Sequence, residues 1–119
     1  MEQYWFDNVY DILKRYSDIE EQKEVWLWLN PNKVSSYDED LCMLFDDNDF
    51  EEFILEWKKE GLDKKTLREM IVFRDVLNFY NKNIHQQGWH DEKVLKDPEW
   101  QKIVNQAKKV IEVWSIIPT

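Results

Sequence analysis

Apolar residues recur along most of this chain at the three- and four-residue spacing that is typical of amphipathic helices. That spacing predicts a first helix over residues 3–16. A second helix is predicted to begin at Ser17, because Ser17 and Glu20 have the spacing of a capping box, and to end before Asn30. The alternative for residues 25–29, Val-Trp-Leu-Trp-Leu, is a buried strand, for which the sequence offers no obvious pairing partner.

Ser36 and Glu39 repeat the capping-box spacing and predict a short helix that ends at Phe45. The acidic turn 46–49 follows, and Asp49 is expected to cap a further helix. The apolar stripe of that helix consists of Phe50, Phe53, Ile54 and Trp57.

The C-terminal half predicts two longer helices. Gly61 is expected to end the preceding helix, and Asp63 to cap a long helix that runs through about Asn81. The polar stretch 81–88 is predicted to be a loop. Asp97-Pro98-Glu99 has the cap, the proline and the first-turn acid of a helix start, so a last helix is predicted to run to the C-terminus.

Together these elements predict an all-α fold, a single compact domain over residues 1–119 with five to six helices. The chain has only two glycines and three prolines, which favours helices over tight hairpins. Aromatic residues make up 15% of the chain, and we expect most of these rings to fill the core.

Charge is distributed unevenly. Residues 1–60 contain 17 acidic and 6 basic residues, whereas residues 61–119 contain 8 and 10, and the whole chain carries −9. A strongly negative surface argues against binding the phosphate backbone of nucleic acids, which requires Lys and Arg. The expected counterpart is a cationic protein.

No Lys or Arg occurs between Lys33 and Lys58. The nine acidic residues of this interval are Asp38, Glu39, Asp40, Asp46, Asp47, Asp49, Glu51, Glu52 and Glu56. Aromatic residues are interspersed among them, which a disordered acidic tail would lack because it has no core to fill. We therefore expect a folded segment with an apolar inner side and an acidic outer side. The alternative is a solvated face whose acids partly serve as helix caps.

The sequence offers no catalytic or cofactor-binding motif. Two isolated glycines cannot build a phosphate-binding loop. Residues 46–49 are similar to the start of a calcium loop, but the glycine required at its sixth position is missing. We expect no enzymatic activity, no cofactor and no metal. A metal-dependent hydrolase that uses the acidic cluster is an alternative that metal titration would test.

A few residues bear on the compartment of the protein and on the state of its cysteine. Cys42 is the only cysteine and lies in the apolar run 41–45, so it is expected to be a buried thiol. No apolar segment approaches the length of a membrane helix, and the start Met-Glu-Gln, with Asp7 soon after it, does not resemble a signal peptide. A cytoplasmic protein without membrane contact is expected.

Two segments, Trp28-Leu29-Asn30-Pro31 and Ser35 through Phe50, resemble the immunity proteins of bacterial contact-dependent growth inhibition and related polymorphic toxin systems. The small, acidic and Trp-rich character of the chain is similar as well. The resemblance implies a tight non-covalent complex with one cognate toxin domain, commonly a nuclease. Because a nuclease binds nucleic acid in a basic cleft, an acidic surface can cover that cleft or a basic site beside it.

On charge alone, the predicted toxin-binding residues are Asp38, Glu39, Asp40, Asp46, Asp47, Asp49, Glu51 and Glu52, with Tyr37 as an aromatic anchor. An exposed tryptophan such as Trp28 or Trp89 would also favour a homodimer. The alternative function is a regulatory or scaffold domain that binds a cellular protein in the absence of a toxin.

Overall fold

The computed structural model describes residues 1–88 and 90–114, without the side chains of 85–87. Trp89 lies outside these residues. Within the described part the chain is helical and contains no strand, so the all-α prediction is confirmed and the strand alternative is wrong. The elements are α1 (Gln3–Tyr16), α2 (Ile19–Trp26), α3 (Tyr37–Cys42), a π-helical turn (Met43–Asp47), α4 (Phe50–Lys59), α5 (Lys64–Gln87), α6 (Asp91–Leu95) and α7 (Pro98–Val113).

Helix α7 lies at the centre of the molecule, packed along α5 and against α1 and α6. Its fully buried Trp100 contacts the rings of Tyr16, Trp26 and Tyr80 at centroid distances of 6.1, 5.7 and 5.3 Å. The Trp100 indole N–H donates to the side-chain oxygen of Gln22 over 2.8 Å. The Gln22 amide donates in turn to the last carbonyls of α1, so one buried polar side chain joins α1, α2 and α7.

A second aromatic cluster packs α1, α4 and the end of α7 together. Trp57 lies 5.8 Å from Phe6 and 5.1 Å from Trp114, and Phe53 stacks on Trp114 at 6.1 Å. Perpendicular and offset rings of this kind add to the stabilisation that area burial provides. The expectation that most aromatic residues fill the core is confirmed, with Tyr4, Trp28 and Phe79 as exposed exceptions.

Several predicted helix ends are confirmed by their hydrogen bonds. The Ser36 hydroxyl accepts from the Glu39 N–H over 2.9 Å and so caps α3. Gly61 has a φ of +68° after α4, and the Leu62 N–H donates to the Trp57 carbonyl over 3.2 Å. That is the pattern of a glycine-terminated helix end, and the predicted bounds of α1 are also correct.

The predicted start and end of α2 are wrong. Asp18, not Ser17, is its cap, because the Asp18 carboxylate accepts from the Glu21 N–H over 3.1 Å. Ser17 instead donates to the Lys14 carbonyl at the end of α1. Leu29, which falls within the predicted helix, lies beyond α2 and is 68% exposed.

Asp49 precedes α4, but its side chain does not cap that helix. A capping side chain requires an extended backbone at the cap residue, whereas Asp49 has a left-handed conformation with a φ of +47°. The Phe53 N–H bonds instead to the Asp49 backbone carbonyl over 2.9 Å. The helix before the turn also differs from the prediction, because it changes to π geometry at Met43.

The stretch 81–87, predicted as a loop, continues α5 as far as Gln87. Ile84 lies four residues after Tyr80 and seven after Leu77, so it extends the apolar stripe of the helix and is buried. The short helix α6 was not predicted. Cys42 was expected to be buried, but it is exposed because the α3 stripe turns inward at Tyr37 and Asp40 instead.

Candidate functional site

The acid-rich segment between Lys33 and Lys58 folds with most of its large apolar side chains inward, with Val34 and Leu55 as exposed exceptions. The π-helical turn is closed by Asn48, whose backbone N–H and side-chain amide donate to the Met43 carbonyl over 3.1 and 2.6 Å. The Trp5 indole N–H donates to the Asn48 carbonyl over 2.6 Å, which holds the turn against α1. The acidic residues of the turn therefore project from a fixed backbone.

The structure places seven of the nine predicted toxin-binding residues on the surface. The exposed ones are Asp38, Glu39, Asp46, Asp47, Asp49, Glu51 and Glu52. Aromatic residues beside them in the sequence, Tyr37, Phe50 and Phe53, are buried in the core.

Asp40 is a correction to that set, because its side chain is only 1% exposed. Its carboxylate accepts three hydrogen bonds: from the Arg15 guanidinium over 2.8 Å, from the Ser35 hydroxyl over 2.6 Å and from the Trp26 indole over 2.7 Å. A buried carboxylate with this many donors is a structural element. The side chain is not available to a partner on this surface.

Tyr37 is a second correction, because it is 3% exposed and belongs to the core. Its ring lies 5.8 Å from Trp26 and 5.5 Å from Trp100, and its hydroxyl donates to Asn81 on α5 over 2.9 Å. Burial raises the pKa of the Tyr37 hydroxyl, and the nearby Asp38 and Asp91 carboxylates raise it further. Tyr37 is the first residue of α3, so the sequence pattern does not show whether its ring points into the core or outward as an anchor.

The charges of three exposed acids act on Cys42. Partial desolvation of the sulfur, a hydrogen bond with Asp46 and the charges of Asp46, Asp47 and Asp38 raise the pKa of the Cys42 thiol. The three carboxylates are therefore close enough to act on one group. We call Asp38, Asp46 and Asp47 the acidic face.

Two acids from other elements extend the acidic face, and sequence reasoning missed both. Asp11 of α1 lines the same shallow depression of about 390 Å³ as Asp47. On the other side, desolvation and the charges of Asp38 and Asp40 raise the pKa of Asp91, while a hydrogen bond from the Tyr37 backbone lowers it. Asp11 and Asp91 are 27 and 53 positions away from Asp38 in the sequence, so no local pattern predicts that they approach the acidic face.

The acids at the start of α4 differ from the acidic face in their surroundings. Glu51 lies 3.4 Å from the Arg74 guanidinium of α5, so part of its charge is compensated. Arg74 also pairs with Asp75 over 3.0 Å. Within the described part of the chain, Asp40 and Glu51 are the residues of the acid-rich segment that form salt bridges.

The acidic residues do not converge in the manner of a metal site. Among the described residues, no three His, Cys, Asp or Glu side chains are grouped so that they could hold a metal ion. The exposed carboxylates lie on the surface of the segment, where they are suited to electrostatic contact with another molecule.

Residues 1–88 and 90–114 contain no helix that is both long enough and apolar enough to cross a membrane. Comparison of the chain with protein-family models, with curated proteins and with solved structures gives no match.

Proposed function

We propose that this chain is an immunity protein that neutralises a cognate toxin domain by covering a basic surface of it. The observation that carries the proposal is the acidic surface between Lys33 and Lys58, where seven of the predicted carboxylates are exposed and, among the described residues, only Glu51 of these seven has a salt-bridge partner. Like charges on one surface repel one another, and a basic partner would relieve that repulsion.

The chemistry of the partner follows from the same charges. An enzyme that acts on nucleic acid presents Lys and Arg to a polyanion. A surface of opposite sign attracts such an enzyme over long range and orients the encounter, and it excludes the polyanion once bound. The proposed mechanism is therefore competitive occupation of the toxin's basic surface, without chemistry on the part of this chain.

The test compares two triple variants that change the net charge equally. The face variant carries Asp38→Asn, Asp46→Asn and Asp47→Asn. The control variant carries Glu92→Gln, Glu99→Gln and Glu112→Gln, three exposed residues of α6 and α7. Calorimetric titration against the toxin domain encoded by the adjacent gene, at several salt concentrations, measures the dissociation constant.

We expect the face variant to bind at least about tenfold more weakly, with a flatter dependence of affinity on salt, and the control variant to resemble the wild type. Unchanged affinity and unchanged salt dependence in the face variant would exclude this face as the interface. Co-expression with the toxin distinguishes the regulatory or scaffold alternative, because only an immunity protein rescues growth.

A further inference from the structure

The loop between α2 and α3 exposes an unusual amount of apolar surface. Its side chains Trp28, Leu29 and Val34 are 69%, 68% and 52% exposed, and Leu27 is 39% exposed. We call residues 27–34 the Trp28 loop. Three of these side chains, Leu27, Trp28 and Leu29, are consecutive, whereas exposed apolar residues of other proteins are usually scattered.

The backbone holds Trp28 outward in a conformation that a bulky side chain rarely adopts. Its φ is +58°, a left-handed conformation that places Cβ close to backbone atoms. Hydrogen bonds fix the loop on both sides of it: the Leu29 N–H donates to the Glu24 carbonyl, and the Ser35 N–H to the Val25 carbonyl, each over 2.9 Å. The indole is therefore presented by a loop that is ordered before any partner binds.

The Trp28 loop adjoins the acidic face through α3. The Ser35 hydroxyl donates to Asp40, and Ser36 caps the helix whose first turn carries the exposed Asp38 and Glu39. At its other end the loop follows Glu24, which is also exposed. Its one lysine, Lys33, lies 3.9 Å from Glu21. Carboxylates therefore border the apolar loop at both ends.

This border decides which occupant fits. A second copy of the chain would bring the same carboxylates together, and an anionic lipid surface would be repelled for the same reason. A cationic protein surface with an apolar pocket would bury the Trp28 indole in the pocket and pair with the carboxylates around it. Aromatic side chains that become buried in a pocket of the partner carry much of the affinity of many protein interfaces.

We propose that Trp28 is the apolar anchor that inserts into a pocket of the basic toxin domain while Asp38 and Glu39 contact its cationic rim. The identity of the partner rests on the proposed function. The acidic face sets the rate and salt dependence of association, and the indole sets the lifetime of the complex.

The test variant is Trp28→Asn, because asparagine tolerates a left-handed backbone and preserves the loop. Phe79→Asn is the matched control, since Phe79 is an aromatic residue of α5 that is 70% exposed. Binding to the toxin domain from the adjacent gene is measured by surface plasmon resonance. Thermal melts show whether each variant folds, and we expect Trp28→Asn to melt at or above the wild-type temperature.

We expect Trp28→Asn to weaken binding about 30-fold or more, mostly through faster dissociation, and Phe79→Asn to change it by less than about threefold. Affinity of Trp28→Asn within about threefold of a wild-type protein that binds would overturn the anchor and leave the proposed function intact. Absence of wild-type binding would overturn both proposals. A dimer, or binding to phosphatidylglycerol vesicles, that disappears in Trp28→Asn would overturn the assigned occupant.

Discussion

At the scale of single residues, Asp40 has the largest structural role among the acids. Its carboxylate joins α1 through Arg15, α2 through Trp26 and the following loop through Ser35. Removal of one partner of such a buried network leaves the other groups without their hydrogen bonds, which strongly lowers the free energy of unfolding. The intact network, by contrast, adds little stability relative to an apolar core. Asp40 therefore supports the position of the acidic face without belonging to its surface.

We predict that Asp40→Asn lowers the free energy of unfolding by about 3 kcal/mol, because the new amide group turns a donor toward donors and removes the carboxylate charge beside Arg15. Urea denaturation followed by circular dichroism measures the change. Asp38→Asn, two residues away and exposed, is the control and should stay within about 0.5 kcal/mol of the wild type. Equal losses in the two variants would contradict the structural role of Asp40.

At the scale of elements, α2, α3, α5 and α7 begin where a short polar side chain accepts from one of their first N–H groups. Ser36 and Asp97 do this as predicted, whereas Asp18 replaces the predicted Ser17. Two candidate caps in adjacent positions cannot be ranked from spacing alone. Which of the two residues caps α2 depends on where α1 ends. At that end the buried Gln22 amide donates to the Tyr16 carbonyl.

The revised cap of α2 is tested by a pair of alanine variants. Asp18→Ala should lower the free energy of unfolding by about 1 kcal/mol, since the Glu21 N–H loses its acceptor. Ser17→Ala should cost less than about 0.5 kcal/mol, because its hydroxyl donates only to a carbonyl at the end of α1. Chemical denaturation of both variants gives the comparison, and a larger loss for Ser17→Ala would favour the original capping box.

The sequence predicted those parts of the fold and the site that depend on local patterns. The apolar stripe of α4, the glycine after it and the exposure of Asp46 and Asp47 all follow from spacing. The exposure of Cys42 and the burial of Asp40 do not, because both depend on which face of a short helix meets residues of α1 and α2. Asp11 and Asp91 each approach the acidic face through the tertiary fold, and such an approach leaves no local pattern in the sequence.

At the scale of the whole molecule, the folded state has to tolerate charge repulsion that is concentrated in one half. The chain carries −9 overall, while residues 1–60 carry −11. Folding exposes carboxylates of α3 and the π-helical turn, and Asp91 of α6 lies near them: desolvation raises the pKa of Asp91, and the charges of Asp38 and Asp40 raise it further. The aromatic core supplies the stability that compensates for this repulsion.

Salt should therefore stabilise the free protein. We predict that raising NaCl from about 10 mM to about 0.5 M increases the melting temperature of the wild type by about 3 °C, because screening weakens the repulsion. The face variant should melt higher than the wild type at low salt and respond less to added salt. The control variant should retain the wild-type response, and an equal response in all three proteins would contradict the concentrated repulsion.

The hydrogen bond between Gln22 and Trp100 has a consequence for biosynthesis. It spans 78 positions of the chain, and the surfaces that α1 and α5 bury are covered mainly by α7. Because a ribosome delivers the chain from its N-terminus, α1 to α5 emerge before the helix that completes their core. The rings that pack against Trp100, among them Tyr16, Trp26 and Tyr80, therefore stay without this neighbour until α7 has left the exit tunnel.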